Sequence, residues 1–527
     1  MQPRSRRIGS RLAAAVAALA GLLVVFQLYV GGNPTLAAAC AGALALTYYV
    51  FFARGMYTYR YLFPGLAGIA LFIVLPLVYT VWIGVTNYSS KNLLTFERAT
   101  EILLEEVYQS SSVRYEFTLH AADHGYRIVL HTSSAAAEPA PEAAPAPSSA
   151  PAVLTAFITD VLPLTDTAAA RIAVVPLAAS GVQPGDPLPL KEVIAHGDAI
   201  HALTVKFPDG TAAAMSGLRE FTPYQALYQR NPDGSLTNRQ TGARIAPNLH
   251  TGFYETASGE AVLPGFRVFI AADNFARVFT DDKFRGPFLR VFAWTVVFAG
   301  MSVVLTACLG MLLAELLSWE SLKFAGLYRL LLFLPYAVPS FISILVFKGL
   351  FNRNFGEINL ILDAVIGIRP NWQGNAMLAR AMILIVNTWL GYPYFMLICL
   401  GLQKSISHDL YEASALAGAG PLTNFFQITW PLIRKPLTPL LISSFAFNFN
   451  NFVLIYLLTQ GRPDFLDTNV PAGETDILVS YTYRIAFEDT GQNFGLAAAI
   501  STLIFVMVAI LSLINLRLTR TNVEDKR

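Results

Sequence analysis

The stretch Tyr411–Pro431, YEASALAGAGPLTNFFQITWP, is polar at its edges, partly apolar within, and lies between two runs long enough to cross a membrane. It suits two short helices joined at Gly418 and Gly420-Pro421, because small residues permit close backbone approach and proline cannot continue a helix. Leu410, Ala413 and Leu416 can offer an apolar face, Glu412 an ionic contact, and Phe425, Phe426 and Ile428 a docking face on neighbouring spans. An elbow anchored by a span on each side can be gripped by another protein. The competing reading is an ordinary amphipathic loop helix.

The chain of 527 residues is 54% hydrophobic and 14% charged, with a mean hydropathy of +0.49. That is too apolar for a soluble globular protein and implies a membrane protein. A net charge of +2 with no basic stripe gives no reason to expect nucleic acid. Cys40, Cys308 and Cys399 all fall in apolar runs, where packing is their expected role.

Arg4, Arg6, Arg7 and Arg11 precede an uncharged stretch from Leu12 to Ala53, enough for two passes of about 20 residues hinged at Gly31-Gly32-Asn33-Pro34. A signal peptide with Ala37-Ala38-Ala39-Cys40 as a lipoprotein-like site competes, but a second complete span follows that cysteine. A third span runs from Tyr61 to Val85. From 86 to 285 the composition becomes that of a water-soluble domain of about 200 residues, enough to bury its own core. Within it Phe96 to Val107 reads as an amphipathic helix. Tyr115/Phe117/Leu119 and Tyr126/Ile128/Leu130 alternate around Asp123-His124-Gly125 as a hairpin, and Pro208-Asp209-Gly210 marks another. An α+β domain is expected. Residues 135–152 are almost only Ala, Pro, Ser and Glu and read as a spacer without a core. No metal-ligand spacing stands out, and His196 and His201 are expected at the surface.

Five further spans are expected at about Leu289–Leu316, Leu327–Leu350, Met377–Leu402, Lys435–Leu458 and Phe494–Leu516, making eight. The segments are then 1–60, 61–85, 86–285 and 286–527, with the elbow in loop 403–433. Lys323, Arg329, Lys404, Arg434, Lys435, Arg517 and Arg520 cluster at alternate loops, which places both termini and the elbow in the cytoplasm. Arg353, Arg369, Arg462 and Arg484 in the outer loops weaken that bias.

Ser444, Phe447, Asn448 and Asn451 fall at i, i+3, i+4 and i+7 and are expected on one helix face. Amides in hydrocarbon must be satisfied, so this face meets either a wet cavity or another helix. Asn with aromatic rings suits a polyhydroxyl ligand, and Gly391, Pro393 and Tyr394 on the preceding span add a bend and a hydroxyl. Interhelical hydrogen bonding explains the same pattern equally well. The spans carry almost no ionisable residue beyond end positions such as Glu315, Lys348 and Arg380, which counts against a proton-coupled carrier. No Gly-x4-Gly-Lys-Ser/Thr phosphate loop occurs, so any ATP-driven motor must be another chain.

Glu412-Ala413-Ser414, Gly418 and Ile428-Thr429-Trp430-Pro431 resemble the EAA loop of bacterial ABC importer permeases. Together with RLLLFLPYAVPSFISILVFKGLFN from Arg329, NTWLGYPYFMLICLG from Asn387, SFAFNFNNFVLIYLLTQGRPDF from Ser444 and YTYRIAFE from Tyr481, the chain resembles the MalF family, the larger membrane subunits of maltose/maltodextrin ABC importers. That resemblance implies an all-α polytopic bundle of type I with an inserted α+β periplasmic domain, in the bacterial inner membrane. It implies a smaller permease subunit, two copies of an ABC ATPase and a periplasmic maltose-binding protein as partners. No cofactor is then bound by this chain, and ATP-Mg is used by the ATPase. It implies substrate contacts at Leu390, Gly391, Tyr394, Ser444, Phe447, Asn448 and Asn451, and ATPase coupling at Glu412, Ala413, Ser414, Gly418 and Pro431. Ser414, Ala417 and Trp430 depart from the family pattern, which puts a foreign ATPase's fit in doubt. Alternative readings are the same machine for another glycan such as trehalose, an ion-coupled secondary carrier, and a membrane-anchored sensor.

Overall fold

A computed structural model of the chain describes residues 4–109, 113–133, 156–163, 170–319 and 321–524. The chain divides into a helical unit, Met1–Val85 with Ala272–Asp489 and Gly495–Arg527, and a mixed unit, Thr86–Ala271 with Thr490–Phe494. The spacer at 135–152 lies outside the described residues.

In the helical unit, Arg4–Val30 and Pro34–Phe52 form a hairpin across a turn at 31–33. Among the described residues, Pro34–Phe52, Tyr59–Gly84, Asp282–Leu317, Ala376–Lys404 and Phe494–Arg517 are each long and apolar enough to cross a membrane. Two further segments qualify only as bent pairs. Ala325–Ala337 and Ser340–Leu350 meet at 90°, and Pro421–Phe449 and Phe452–Leu458 at 44°. This corrects the single spans expected at Leu327–Leu350 and Lys435–Leu458. At the first break a 3-10 turn, Leu334–Ala337, contains Pro335, and Pro339 caps the next helix; each proline lacks an N–H and crowds the preceding turn.

The Asp282–Leu317 and Ala376–Lys404 helices form the centre of the unit. Ser302, Thr306, Gly310 and Ala314 recur every four residues and are buried along one stripe, so the two backbones approach closely. Phe395, Met396 and Cys399 on the second helix share an apolar cluster with Ala307 and Ala314 of the first. All three cysteines are free, Cys399 buried, Cys40 half-buried and Cys308 exposed.

The main segment of the mixed unit runs from Thr86 to Ala271, short of the 285 read from composition. Asp282, Lys283 and Arg285 read as soluble sequence, yet they form the first turn of the Asp282–Leu317 helix, where Asp281 Oδ1 accepts from Lys283 N at 3.0 Å. Charge at the solvated end of a span is indistinguishable by composition from domain sequence. Two sheets build the unit. The larger runs in the order Val107–Gln109, Glu220–Ala226, Arg114–Ala122, Gly125–Ser133, Ala156–Thr159, Ala170–Pro176, Leu203–Lys206, Ala212–Gly217. Its last strand also pairs with Glu220–Ala226, which closes the sheet into a barrel. Phe117, Leu119, Ile128, Leu130, Val205 and Phe221 alternate inward to fill it. The smaller sheet is a five-stranded antiparallel meander from Tyr228–Arg230 to Ala261–Val262. The Phe96–Glu105 helix contributes Ala99 and Leu103 to a core with Tyr228, Leu236, Ile245, Tyr254 and Phe266. His196 is half-buried and not a free surface group, its Nε2 lying 3.0 Å from the Tyr126 hydroxyl.

Candidate functional site

The elbow is built by two turns of chain chemistry. The His408–Leu416 helix ends where Gly418 adopts φ +77°, a left-handed conformation glycine holds without a Cβ clash. Ala419 N returns to Ser414 O at 3.1 Å, and Ser414 Oγ donates to Asn424 Oδ1 at 2.6 Å, which fixes the angle between the arms. Tyr411 OH and Thr429 Oγ1 meet at 2.9 Å lower down. The second arm is not a separate short helix. It continues from Pro421 through a π-helical turn, Phe425–Thr429, into Trp430–Phe449. The wider turn just before Pro431 is where the helix accommodates the missing N–H. Glu412, Ala413 and Leu416 are exposed, Leu416 at 92%, and His408 Nδ1 lies 3.0 Å from Glu412 Oε1. Phe426, expected against neighbouring spans, is exposed too, while Thr429 is the buried residue of that turn.

A cavity of about 830 Å³ opens where the two bent segments meet the Ala376–Lys404 helix. Its wall includes Leu390 and Gly391, Phe447 and Asn451 from the expected set. Ser444, Asn448 and Tyr394 do not line it. Residues not anticipated from sequence do: Asn387, Asn450, Phe452, Tyr336 and the two prolines of the 90° bend.

The face expected from Ser444 to Asn451 is interrupted. The helix ends at Phe449, and Asn451 caps the next one, its Oδ1 accepting from Leu454 N at 3.4 Å. An i+7 spacing places Asn451 on the face only if the helix is unbroken, and the Asn450-Asn451 pair breaks it. Asn387 reunites the two pieces. Its Nδ2 donates to Asn448 Oδ1 at 2.7 Å, and its Oδ1 accepts from Asn451 Nδ2 at 3.3 Å. Asn448 Nδ2 in turn donates to Ser444 O at 2.8 Å. The buried Asn448 amide is therefore satisfied between helices, whereas Phe447 is 71% exposed. Gly391 sits against the Asp282–Leu317 helix, where a Cβ would fall 2.7 Å from Thr306 Cγ2. The signal for Asn387 was present in the sequence as one more amide within an apolar run, four residues before Gly391.

At the other end of these helices, arginines are matched by carboxylates. Arg290 grips Asp467 with both terminal nitrogens at 2.9 and 2.6 Å, and Arg380 reaches Glu474 at 2.6 Å while lying over the Trp294 ring. Buried Arg484 contacts Asp476 at 2.8 Å, Asp464 at 2.6 Å and Glu488 at 3.2 Å. Asp476 also accepts from Gly473 N and Ser480 Oγ. Burial pushes its carboxyl up to about 6 despite the Arg484 charge.

The long paired helices, the two broken spans and the elbow define a permease of the binding-protein-dependent class. Residues 306–520 match the family described as binding-protein-dependent transport system inner membrane component, and residues 94–271 match the P2 domain of maltose transport system permease protein MalF. The maltose/maltodextrin transport system permease protein MalF of Klebsiella aerogenes is 48% identical over 509 residues, covering 95% of this chain and 94% of its own length. That of Escherichia coli K12 is 48% identical over 516 residues, covering 96% of each. Among solved structures, a chain of a bacterial alginate ABC transporter superposes with a TM-score of 0.42 at 21% identity, covering 48% of this chain and 84% of its own. The chain belongs to the MalF family of ABC importer permeases, and is a transport subunit rather than an enzyme.

Proposed function

We propose that this subunit passes maltose and maltodextrins from periplasm to cytoplasm by alternating access, through the cavity between its broken spans. The observation that carries the reading is the lining. Asn387, Asn450 and Asn451 offer amides to sugar hydroxyls, and Tyr336, Phe447 and Phe452 offer rings to the apolar sugar faces. A volume of about 830 Å³ lies within the range of roughly 300–1,000 Å³ that small-molecule sites occupy. Phe447, Leu390, Gly391 and Asn451 touch the sugar directly in this reading. Tyr394 joins when a second permease subunit closes the site, and Ser444 and Asn448 act by holding Asn387 in place.

Eight spans cross the inner membrane, the eighth being the Arg4–Val30 helix, whose described apolar part is Ala15–Val30. Both termini and the elbow are cytoplasmic and the mixed unit periplasmic. The elbow docks an ABC ATPase through Glu412, Ala413 and Leu416, while Ser414, Gly418 and Pro431 hold its shape. Two ATPase copies, using ATP-Mg, a smaller permease and a periplasmic maltose-binding protein complete the machine.

The test is ATP-dependent uptake of labelled maltose into proteoliposomes holding all cognate subunits, comparing wild type with Phe447→Ala. The reading holds if wild type transports and the variant loses uptake while its ATPase still responds to the binding protein. Transport of another glycan with no maltose uptake would mean the cargo is wrong and the machine right.

A further inference from the structure

The Glu357–Ile366 helix follows the Ser340–Leu350 helix after six residues and precedes the Ala376–Lys404 helix. Ten residues rise about 15 Å, half of what a bilayer core of about 30 Å demands, so it is not a span. It is nevertheless apolar on its open side. Leu360, Ile361, Ala364 and Val365 recur at i, i+1, i+4 and i+5 and are all exposed, Ile361 at 62% and Val365 at 74%. The opposite side is pinned. Buried Asn359 donates to Arg353 O at 3.1 Å and Pro370 O at 3.0 Å and accepts from Trp372 Nε1 at 2.8 Å. These bonds fix the helix's roll, so the apolar stripe cannot turn inward.

We propose that this helix lies in the plane of the membrane, with its Leu360, Ile361 and Val365 stripe seated among lipid chains at the interface. Two observations select lipid over a protein partner. The preceding helix likewise leaves Phe341, Leu345 and Val346 open, on a segment that is half of a bent span. The charges avoid the stripe: Glu357 opens the helix, and half-buried Asp363, on the side that carries Asn359, pairs at 2.8 Å with Arg369 beyond the end. A wide apolar face with polar groups confined to the other side and the termini is the pattern of an interfacial helix.

Nitroxide labels at Ile361→Cys, Val365→Cys and Glu357→Cys, each in a full chain with Cys40, Cys308 and Cys399 replaced by Ala, test this in the assembled importer in lipid nanodiscs. The expected result is that oxygen relaxes the 361 and 365 labels more than a water-soluble nickel complex does, with the order reversed at 357. Low access to both reagents at 361 and 365 would mean a protein covers the stripe. High nickel access there would mean it faces water. Either outcome overturns the proposal.

Discussion

Asn387 Nδ2 donates to Asn448 Oδ1 at 2.7 Å while Asn387 Oδ1 accepts from Asn451 Nδ2 at 3.3 Å, so one amide holds both sides of the break after Phe449. Asn387→Leu leaves two amides without these partners, and a buried polar group left unmade costs about 1–3 kcal/mol. The expected outcome is lower thermal stability of the purified complex together with lost uptake. Asn448→Ala should behave the same way. Phe447→Ala should lose uptake with its melting temperature unchanged, since its ring is largely exposed in this chain. If Asn448→Ala abolishes uptake with no loss of stability, Asn448 acts on sugar and not on Asn387.

Gly418 at φ +77° admits no side chain without strain, about 1–2 kcal/mol for an L residue in the left-handed region. Gly418→Val should therefore reset the elbow and leave the cavity intact. The measurement is sugar moved per ATP hydrolysed in proteoliposomes, expected to fall several-fold while sugar protection of the chain persists. Glu412→Ala, at an exposed position whose contact is with exposed His408, should weaken co-purification of the ATPase without changing this chain's stability. Unchanged co-purification would take Glu412 out of the docking face.

The sequence showed the permease class, the elbow and the place of the extra domain because each rests on local chemistry: an apolar run, a glycine with a following proline, a shift in charge. It reached only part of the cavity wall. Leu390, Gly391, Phe447 and Asn451 were reachable from residue type and spacing, but spacing assumes an unbroken helix. Asn450-Asn451 and Pro335 with Pro339 break two spans, and those breaks bring Tyr336, Asn450 and Phe452 to the wall. The barrel's closure through the pairing of Ala212–Gly217 with Glu220–Ala226 is likewise a long-range outcome beyond any local turn signal.

Arg484 and Asp476 form a buried pair whose loss should be asymmetric. Arg484→Leu strands the fully buried Asp476 carboxylate, a change worth about 3–5 kcal/mol. Asp464→Ala removes a partner whose side chain is 49% exposed, worth under about 1 kcal/mol. Thermal unfolding of the two variants in matched detergent should separate by several degrees. Equal effects would mean that the pair adds nothing beyond its exposed neighbours.

The same carboxyl makes stability depend on pH in a defined direction. Its ordinary value is 3.8, and burial raises it to about 6 in the folded chain. Between those two values the folded state holds a proton that the unfolded state has released, so acidification stabilises and stability is lost as pH rises through about 6. The Arg484 charge opposes this shift but does not cancel it, because the desolvation of a group with no exposed surface is the larger effect. Wild type should therefore gain melting temperature relative to Asp476→Asn when the buffer moves from about pH 7.5 to about pH 5.5, since the amide has no proton to take up. A constant difference between the two across that window would place the carboxyl's titration below it and make the Arg484 charge the stronger influence.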